Sequence, residues 1–342
     1  MTKQWAVIGG GVAGITAIAK LLDENVGGKN IHWICSDFCV GDLGKKWRNV
    51  SGNTSVKRVK EFLLAYESFD LKKRQSDFDI FKMPEDQTCY LSDIVKPLEH
   101  STKVLITKVN IYNQLAIDVK STDQNVTITL DNGQKITSNK SIVAIGAEPK
   151  KALYQDVQEI GLDIALDPSR LSKVISADDT VAVFGSSHSA ILILKSLVEN
   201  NVKKIVNFYI EDIKYAVDTP DGIINDNTGL KGVAAEWSRE FLEQNLLANL
   251  IRVKCNEHNL KRYLPVVNKA IYSIGFERRK LKINGNNNRD YNKETGEIVE
   301  NVYGFGIAYP NLKKDLSGQD EYQVGVGKFV KHINDSFDIW NS

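Results

Sequence analysis

At 342 residues the chain exceeds the span that one hydrophobic core usually organises, so two domains are expected. Its 42% hydrophobic and 25% charged content is ordinary for a globular protein, and 44 Lys and Arg against 43 Asp and Glu leave a net charge of +1. That balance excludes bulk electrostatic capture of nucleic acid or of an anionic membrane, no stretch approaches the roughly 20 apolar residues of a membrane helix, and a cytoplasmic location is expected.

The first strand and helix carry the clearest signal. Trp5 to Ile8 is a short apolar run suited to a buried parallel strand; it breaks at Gly9-Gly10-Gly11 and passes at Val12 into Ala, Ile and Leu at helical spacing. Gly9, Gly11 and Gly14 stand at G-x-G-x-x-G spacing. Gly9 permits the tight turn, Gly11 lets backbone approach a pyrophosphate, and Gly14 lets helix and strand pack closely, with Val12 and Ala13 at the helix end that faces the phosphates. Ile31 to Cys35 reads as the second parallel strand and completes a βαβ unit. Such a strand usually ends in an acid that binds a ribose hydroxyl. Cys35 occupies that place, so Asp37 is the substitute candidate, with a solvated loop aspartate as the other reading.

Gly41 to Thr54 is polar, and Val56 to Leu71 mixes apolar and basic residues at roughly helical spacing. Ser101 to Ser141 reads as several short strands with a hairpin at Asn132-Gly133. Ser141 to Ala147 is another buried strand, ending at Gly146, and Glu148-Pro149 turns the chain out of the domain. Thr180 to Gly185 then repeats the opening architecture: an apolar strand, a small-residue turn Ser186-Ser187-His188-Ser189, and a helix from Ala190 through Leu197. Lys203 to Tyr209 is the strand expected next, Asp218 to Gly232 a polar loop, and Ala234 to Leu250 a return to helical periodicity. Ala270 to Phe276 mirrors Ser141 to Ala147 and ends at Gly275. Asn284 to Thr295 is a hydrophilic excursion, and Val302 to Tyr309 and the amphipathic Gly327 to Trp340 close the chain. The four cysteines, Cys35, Cys39, Cys89 and Cys255, show neither C-x-x-C nor zinc-ligand spacing, and read as reduced thiols. H-E-x-x-H, G-x-S-x-G and clustered metal ligands are absent from the sequence.

Two glycine turns, each followed by an apolar strand that ends in Ile-Gly, come in an order that resembles the flavoproteins with two dinucleotide-binding domains, the group of thioredoxin-reductase-like enzymes and flavin-containing monooxygenases. The resemblance covers almost the whole chain. It implies FAD on the first unit, a reduced nicotinamide on an inserted second unit, and a C-terminal segment that returns to complete the FAD domain. Val40-Gly41-Asp42, then Trp47, then Gly52-Asn53-Thr54-Ser55 is similar to a segment of the monooxygenase branch whose asparagine lies near the flavin. The Asn53 amide offers both donor and acceptor to a flavin carbonyl or an oxygen species; its other reading is a turn residue beside Gly52.

Departures from that pattern are informative. Cys35 replaces the usual acid, and Gly306-Ile307 stands where relatives have Gly-Asp at the ribityl-phosphate region. Gly185, Ser187 and Ala190 replace three glycines in the second turn, where added bulk narrows the approach of a pyrophosphate. Glu211 and Asp212, with Lys214 the only nearby cation in the sequence, favour NADH over NADPH. His188 is either a phosphate or nicotinamide contact or a surface loop histidine.

The expected fold is therefore α/β, with two Rossmann-like dinucleotide-binding domains: a discontinuous FAD domain over 1–150 and 285–342, and an NAD(P)-type domain inserted at 151–284. The expected activity is that of an FAD-dependent oxidoreductase, monooxygenase-like, passing hydride from NADH or NADPH to the flavin and electrons onward to oxygen or another acceptor. The cofactor-binding candidates are Gly9, Gly11, Val12, Ala13, Gly14, Asp37, Trp47, Gly146, Gly185, Ser187, His188, Ser189, Gly275, Gly306 and Ile307, with Asn53 the catalytic candidate. A disulfide reductase of the C-x-x-C kind is excluded, since that chemistry needs an attacking and a resolving thiol. The competing class is a flavin- or nucleotide-binding sensor or scaffold, which Cys35, Ile307 and the serines of the second turn favour. The intact N-terminal glycines, Asn53 and both Ile-Gly exits favour an enzyme acting on a small molecule.

Overall fold

The computed structural model describes residues 3–342 apart from 153, 155, 156, 221, 245, 246, 288 and 317. Trp5–Ile8 forms β1, buried along its whole length, and the glycine turn leads into α1 (Val12–Asp23). Then come β2 (Ile31–Ile34), a short α2 (Gly41–Lys45), β3 (Ser51–Ser55), α3 (Val56–Leu63), β4 (Thr88–Tyr90) and α4 (Leu91–Leu105). The chain continues through β5 (Asn110–Tyr112), the meander β6 (Ala116–Ser121), β7 (Val126–Leu130) and β8 (Lys135–Ser138), then β9 (Lys140–Val143), and leaves along β10 (Ala147–Pro149). β1 pairs in parallel with both β2 and β9. Both its faces are covered, which is why its apolar run is continuous rather than alternating.

The second unit opens with β11 (Gln158–Glu159) and two short helices, α5 (Leu162–Ala165) and α6 (Pro168–Leu171). β12 (Thr180–Phe184), α7 (His188–Glu199) and β13 (Lys204–Tyr209) repeat the opening βαβ. A hairpin of β14 (Val217–Thr219) and β15 (Gly222–Ile224), then α8 (Gly232–Trp237), β16 (Leu250–Lys254), α9 (Glu257–Tyr263) and β17 (Lys269–Tyr272) follow. These strands make a parallel sheet in the order β11-β17-β12-β13-β16.

The chain returns on β18 (Phe276–Arg278), which pairs antiparallel with β10, so the two Ile-Gly exits meet as one narrow link. β19 (Lys282–Ile283) joins β6 in the first unit, placing the return crossing ahead of residue 285, because Leu281 and Ile283 are buried in that unit's core. β20 (Glu297–Val299) and β21 (Val302–Gly304) complete a six-stranded sheet, β20-β21-β9-β1-β2-β5. The hairpin of β22 (Leu312–Lys314) and β23 (Asp320–Tyr322) precedes α10 (Val326–Asn341), which lies beside α1 with Phe337 stacked 6.0 Å from Trp5.

Two stretches differ from their sequence pattern. Residues 101–105 finish α4 rather than start a strand: β-branched Thr102 and Val104 favour strands, but Ile94, Leu98, Ser101 and Leu105 fall on one buried helical face. The helical pattern from Ala234 ends in a wide turn at 238–242, and Leu250 belongs to β16, where the Asn249 carbonyl accepts from Ile205 N at 2.8 Å. Among the described residues no helix is long and apolar enough to cross a membrane.

Candidate functional site

The first glycine turn is built as its spacing requires. Gly9 has φ +124, and a Cβ there would run into the Ala144 carbonyl at the end of β9. A Cβ on Gly14 would strike the Gly9 carbonyl, so helix and turn touch through backbone alone. Gly11 differs: its φ is −82, and a Cβ would meet nothing nearer than Gly41 Cα at 4.0 Å. Nothing in the fold requires a glycine there. Around it, a Cβ on Gly41 would lie 2.9 Å from Gly11 Cα, and one on Gly306 would lie 2.5 Å from Ala13 Cβ. Glycines from three parts of the chain thus converge on the first turn of α1, which has no side-chain cap and presents the amides of Val12 and Ala13. That arrangement fits a dinucleotide pyrophosphate.

The rim of this cradle is polar. Val40 and Gly41 are both left-handed, with φ +59 and +58. Val40 is a β-branched residue there, and such strain of about 1 kcal/mol or more persists only where packing enforces it. Val40 is fully buried. Asp42, next in line, accepts from Arg279 Nη2 at 2.6 Å, while Arg279 N donates to the Gly146 carbonyl at 3.2 Å. Arg279 therefore ties the inter-unit link to α2. Cys35 turns its thiol back to the Asp37 carbonyl at 2.6 Å, and burial raises its pKa. The Asp37 carboxylate is taken up by Lys45 and by Cys39 N at 3.3 Å. Burial alone would raise the Asp37 pKa, but the Lys45 contact outweighs it and holds the carboxyl low.

The segment from Trp47 to Asn53 forms the seam between the units. Trp47 meets Phe276 of β18 edge-on at 6.0 Å, and Val50 is buried in the second unit's core. Asn49 Nδ2 donates to Asp167 Oδ2 at 2.8 Å. His188, the first residue of α7, donates from Nε2 to the Ser51 carbonyl at 2.9 Å. It is an enclosed interface residue rather than a surface loop histidine; burial pushes its pKa down against the opposing pull of that carbonyl, and Nδ1 is buried with no partner among the described residues. Asn53 follows two residues later on β3, half-buried, and among the described residues its amide makes no hydrogen bond.

The second turn copies the first in outline. Gly185 has φ +125, and a Cβ on it would run into the Ser273 carbonyl, as Gly9 would into Ala144. Ser187 occupies the cap position without capping, Ser189 follows His188 in the first turn, and Ala190 is fully buried at the place of Gly14. Gly275, φ +94, accepts from Lys150 N at 3.1 Å across the link. Ile307 is 39% exposed on the short turn after Gly306. Gly9 to Gly14 and Gly306 are brought together, Trp47, Asn53 and His188 share the seam, and Gly146 and Gly275 sit in the link. Asp37 is spent on Lys45. Asp42 lay in the quoted Val40-Gly41-Asp42 segment, but its partner Arg279 escaped the motif reading because the pairing depends on the return crossing.

The fold and its two glycine turns define the class: an α/β protein with two Rossmann-like βαβ units, each opening on a glycine turn. No protein-family model matches the chain. It is 27% identical over 373 aligned residues, 96% of this chain and 95% of the relative, to the monooxygenase AgnR1 of Paecilomyces divaricatus. Solved structures with the same fold include the ornithine N-hydroxylase of Kutzneria sp. 744, with TM-score 0.68, 10% identity and all of both chains covered. The flavin-containing monooxygenase of Stenotrophomonas maltophilia gives TM-score 0.64, 12% identity and 99% of each chain. The bacillithiol disulfide reductase of Staphylococcus aureus gives 0.60, 12%, and 99% and 98%.

Proposed function

We propose that the protein is an FAD-dependent, monooxygenase-like oxidoreductase that takes hydride from NAD(P)H on its second unit and acts on a small-molecule substrate. The observation that carries this reading is the seam: His188, on the second glycine turn, is hydrogen-bonded into the strand that bears Asn53, so the second turn meets a strand of the first unit. The end-to-end likeness to a monooxygenase supports it, as does the Kutzneria structure, whose description names reduced FAD, NADP+ and L-ornithine for that protein.

FAD, when bound, supplies the hydride acceptor and hands electrons to oxygen or another acceptor. The chain's own residues bind and orient. Gly9, Gly11 and Gly14, with the Val12 and Ala13 amides, hold the pyrophosphate; Gly41, Gly306 and Ile307 wall it. The Asp42–Arg279 pair fixes the link, with Gly146 and Gly275 as its bends. Gly185, Ser187 and Ser189 offer backbone to the nicotinamide nucleotide, and Ile210 to Asp212 flank its ribose. The uncommitted Asn53 amide is set to meet the reacting end, and Trp47 with Val50 keeps water from the seam. On this reading residues 1–150 and the C-terminal return form the FAD domain, with the nicotinamide domain between.

The purified protein should be yellow and release FAD on denaturation, and Gly11→Val should be colourless yet folded. A wild-type protein that takes up no FAD from an excess contradicts the proposal.

A further inference from the structure

A cavity of about 360 Å³ opens at Ile307 and Ala308, on the same short turn whose Gly306 abuts Ala13 of α1. Its other walls come from stretches remote in sequence: Arg278 of β18, Tyr291 and Lys293 of the return, and Tyr322 of β23. In sequence the return is a hydrophilic excursion. In the fold it closes one side of the cavity.

Two cations line this cavity without an ion pair. Arg278 donates from Nη2 to the Arg289 carbonyl at 2.9 Å and meets no carboxylate among the described residues. Its guanidinium lies 4.6 Å from the Tyr309 ring centroid and 5.9 Å from that of Tyr291, so the rings hold it in place while the rest of its fork stays uncommitted. Lys293 also pairs with no acid among the described residues, and its ammonium lies 5.7 Å from the Tyr322 ring centroid. Asp290, the one acid among the lining residues, accepts from Tyr291 N at 3.0 Å and bridges to neither cation. On the adjacent hairpin, by contrast, Lys314 is paired with Asp320 at 2.6 Å.

The remaining lining is apolar or phenolic. Ile307 is 39% exposed and Tyr322 47%, and the Tyr291 hydroxyl donates to the Pro310 carbonyl at 2.8 Å, which fixes that ring. Burial pushes the Tyr291 hydroxyl up to about 12, so this wall stays neutral. The matching ligand has one flat anionic head for the cations and an apolar body for the rings and Ile307. A carboxylate suits the head, because a guanidinium fork donates two parallel hydrogen bonds to its two oxygens with full charge. A bare inorganic anion would answer the cations and leave the apolar lining uncovered.

We propose that this cavity is a binding site for a small carboxylic acid with an apolar body: Arg278 takes the carboxylate, Lys293 adds charge, and Tyr291, Ile307 and Tyr322 cover the body. The site is distinct from both glycine turns and does not depend on what they hold.

Calorimetric titration of the full chain, with FAD in excess, against benzoate, benzamide, acetate and inorganic phosphate tests the site. Benzoate should bind at least about tenfold more tightly than benzamide, which keeps the ring and loses the charge, and than acetate, which keeps the charge and loses the ring. Arg278→Met should abolish the difference between benzoate and benzamide, and exposed Lys293→Met should reduce it severalfold. Should Arg278→Met not fold, the wild-type ratios and Lys293→Met decide. Benzoate held no more tightly than benzamide, acetate or phosphate, or a benzoate affinity indifferent to every folded variant, overturns the site and leaves the flavin reading intact.

Discussion

Gly11 and Gly14 lie one helical turn apart, and their missing side chains serve different ends. A Cβ on Gly14 meets the backbone carbonyl of Gly9, which cannot yield without moving the strand, whereas a Cβ on Gly11 enters open space. Gly14→Ala should therefore destabilise the cofactor-free protein by about 1–3 kcal/mol, as overpacking does. Gly11→Ala should leave that stability nearly unchanged and weaken FAD binding. Thermal melts of the cofactor-free variants, paired with FAD titrations, check both; equal melting losses would refute the distinction. A second residue-scale test concerns His332, whose ring sits between Phe305 and Trp340 at 5.2 and 5.9 Å, with Nε2 buried and unpartnered among the described residues. Burial pushes its pKa from 6.5 down to about 4. The unfolded chain then binds the proton more readily between those values, so stability is full above pH 6.5 and falls as pH drops toward 4, by up to about 3 kcal/mol. Denaturant melts across that window should show the loss in wild type, and His332→Leu should flatten it. An unchanged slope in the variant would assign the loss to other groups.

At the scale of elements, the end of β2 decides whether Cys35 and Cys39 matter chemically. The Cys35 thiol is spent on the Asp37 carbonyl and its pKa is raised by burial, while Cys39 is exposed on the following loop. A Cys35→Ser, Cys39→Ser double variant should keep its NAD(P)H oxidation rate; loss of the rate with FAD still bound would make the pair a redox centre. The βαβ units themselves were legible because a short apolar run, a glycine turn and a helical period are local signals. The seam was not. Trp47, Val50 and Ser51 look like a polar loop in sequence, and what gives them their role is contact with Phe276, the second core and His188, all remote along the chain. At α4, strand-favouring residues misled because one buried face overrode local propensity.

For the whole molecule, one carboxylate adds an ionic tie between the units to the contacts of the seam and the link. Asp226, in the second unit, accepts from Arg58 of α3 at 3.2 Å, from Lys231, and from Lys328 of α10 at 2.8 Å. Its burial alone would raise the pKa, yet Lys231 and Lys328 hold the carboxyl well below the usual range. Asn227 extends the contact, with its N donating to Glu321 Oε1 at 2.9 Å and its Nδ2 to the Tyr322 carbonyl at 2.7 Å. Asp226→Asn leaves three cations around a neutral amide, so it should cost about 3 kcal/mol of stability and slow flavin reduction while FAD stays bound. A thermal melt and a reduction rate both equal to wild type would show that the units keep their register without it.

The claim on which the account turns is that a nicotinamide on the second unit reduces a flavin on the first. Anaerobic rapid mixing of the FAD-loaded protein with NADPH or NADH, followed by the flavin absorbance band, tests it directly. The band should bleach with at least one of the two donors and return when oxygen is admitted. A flavin that stays oxidised with both donors would contradict it and make the protein a nucleotide-binding sensor rather than an enzyme.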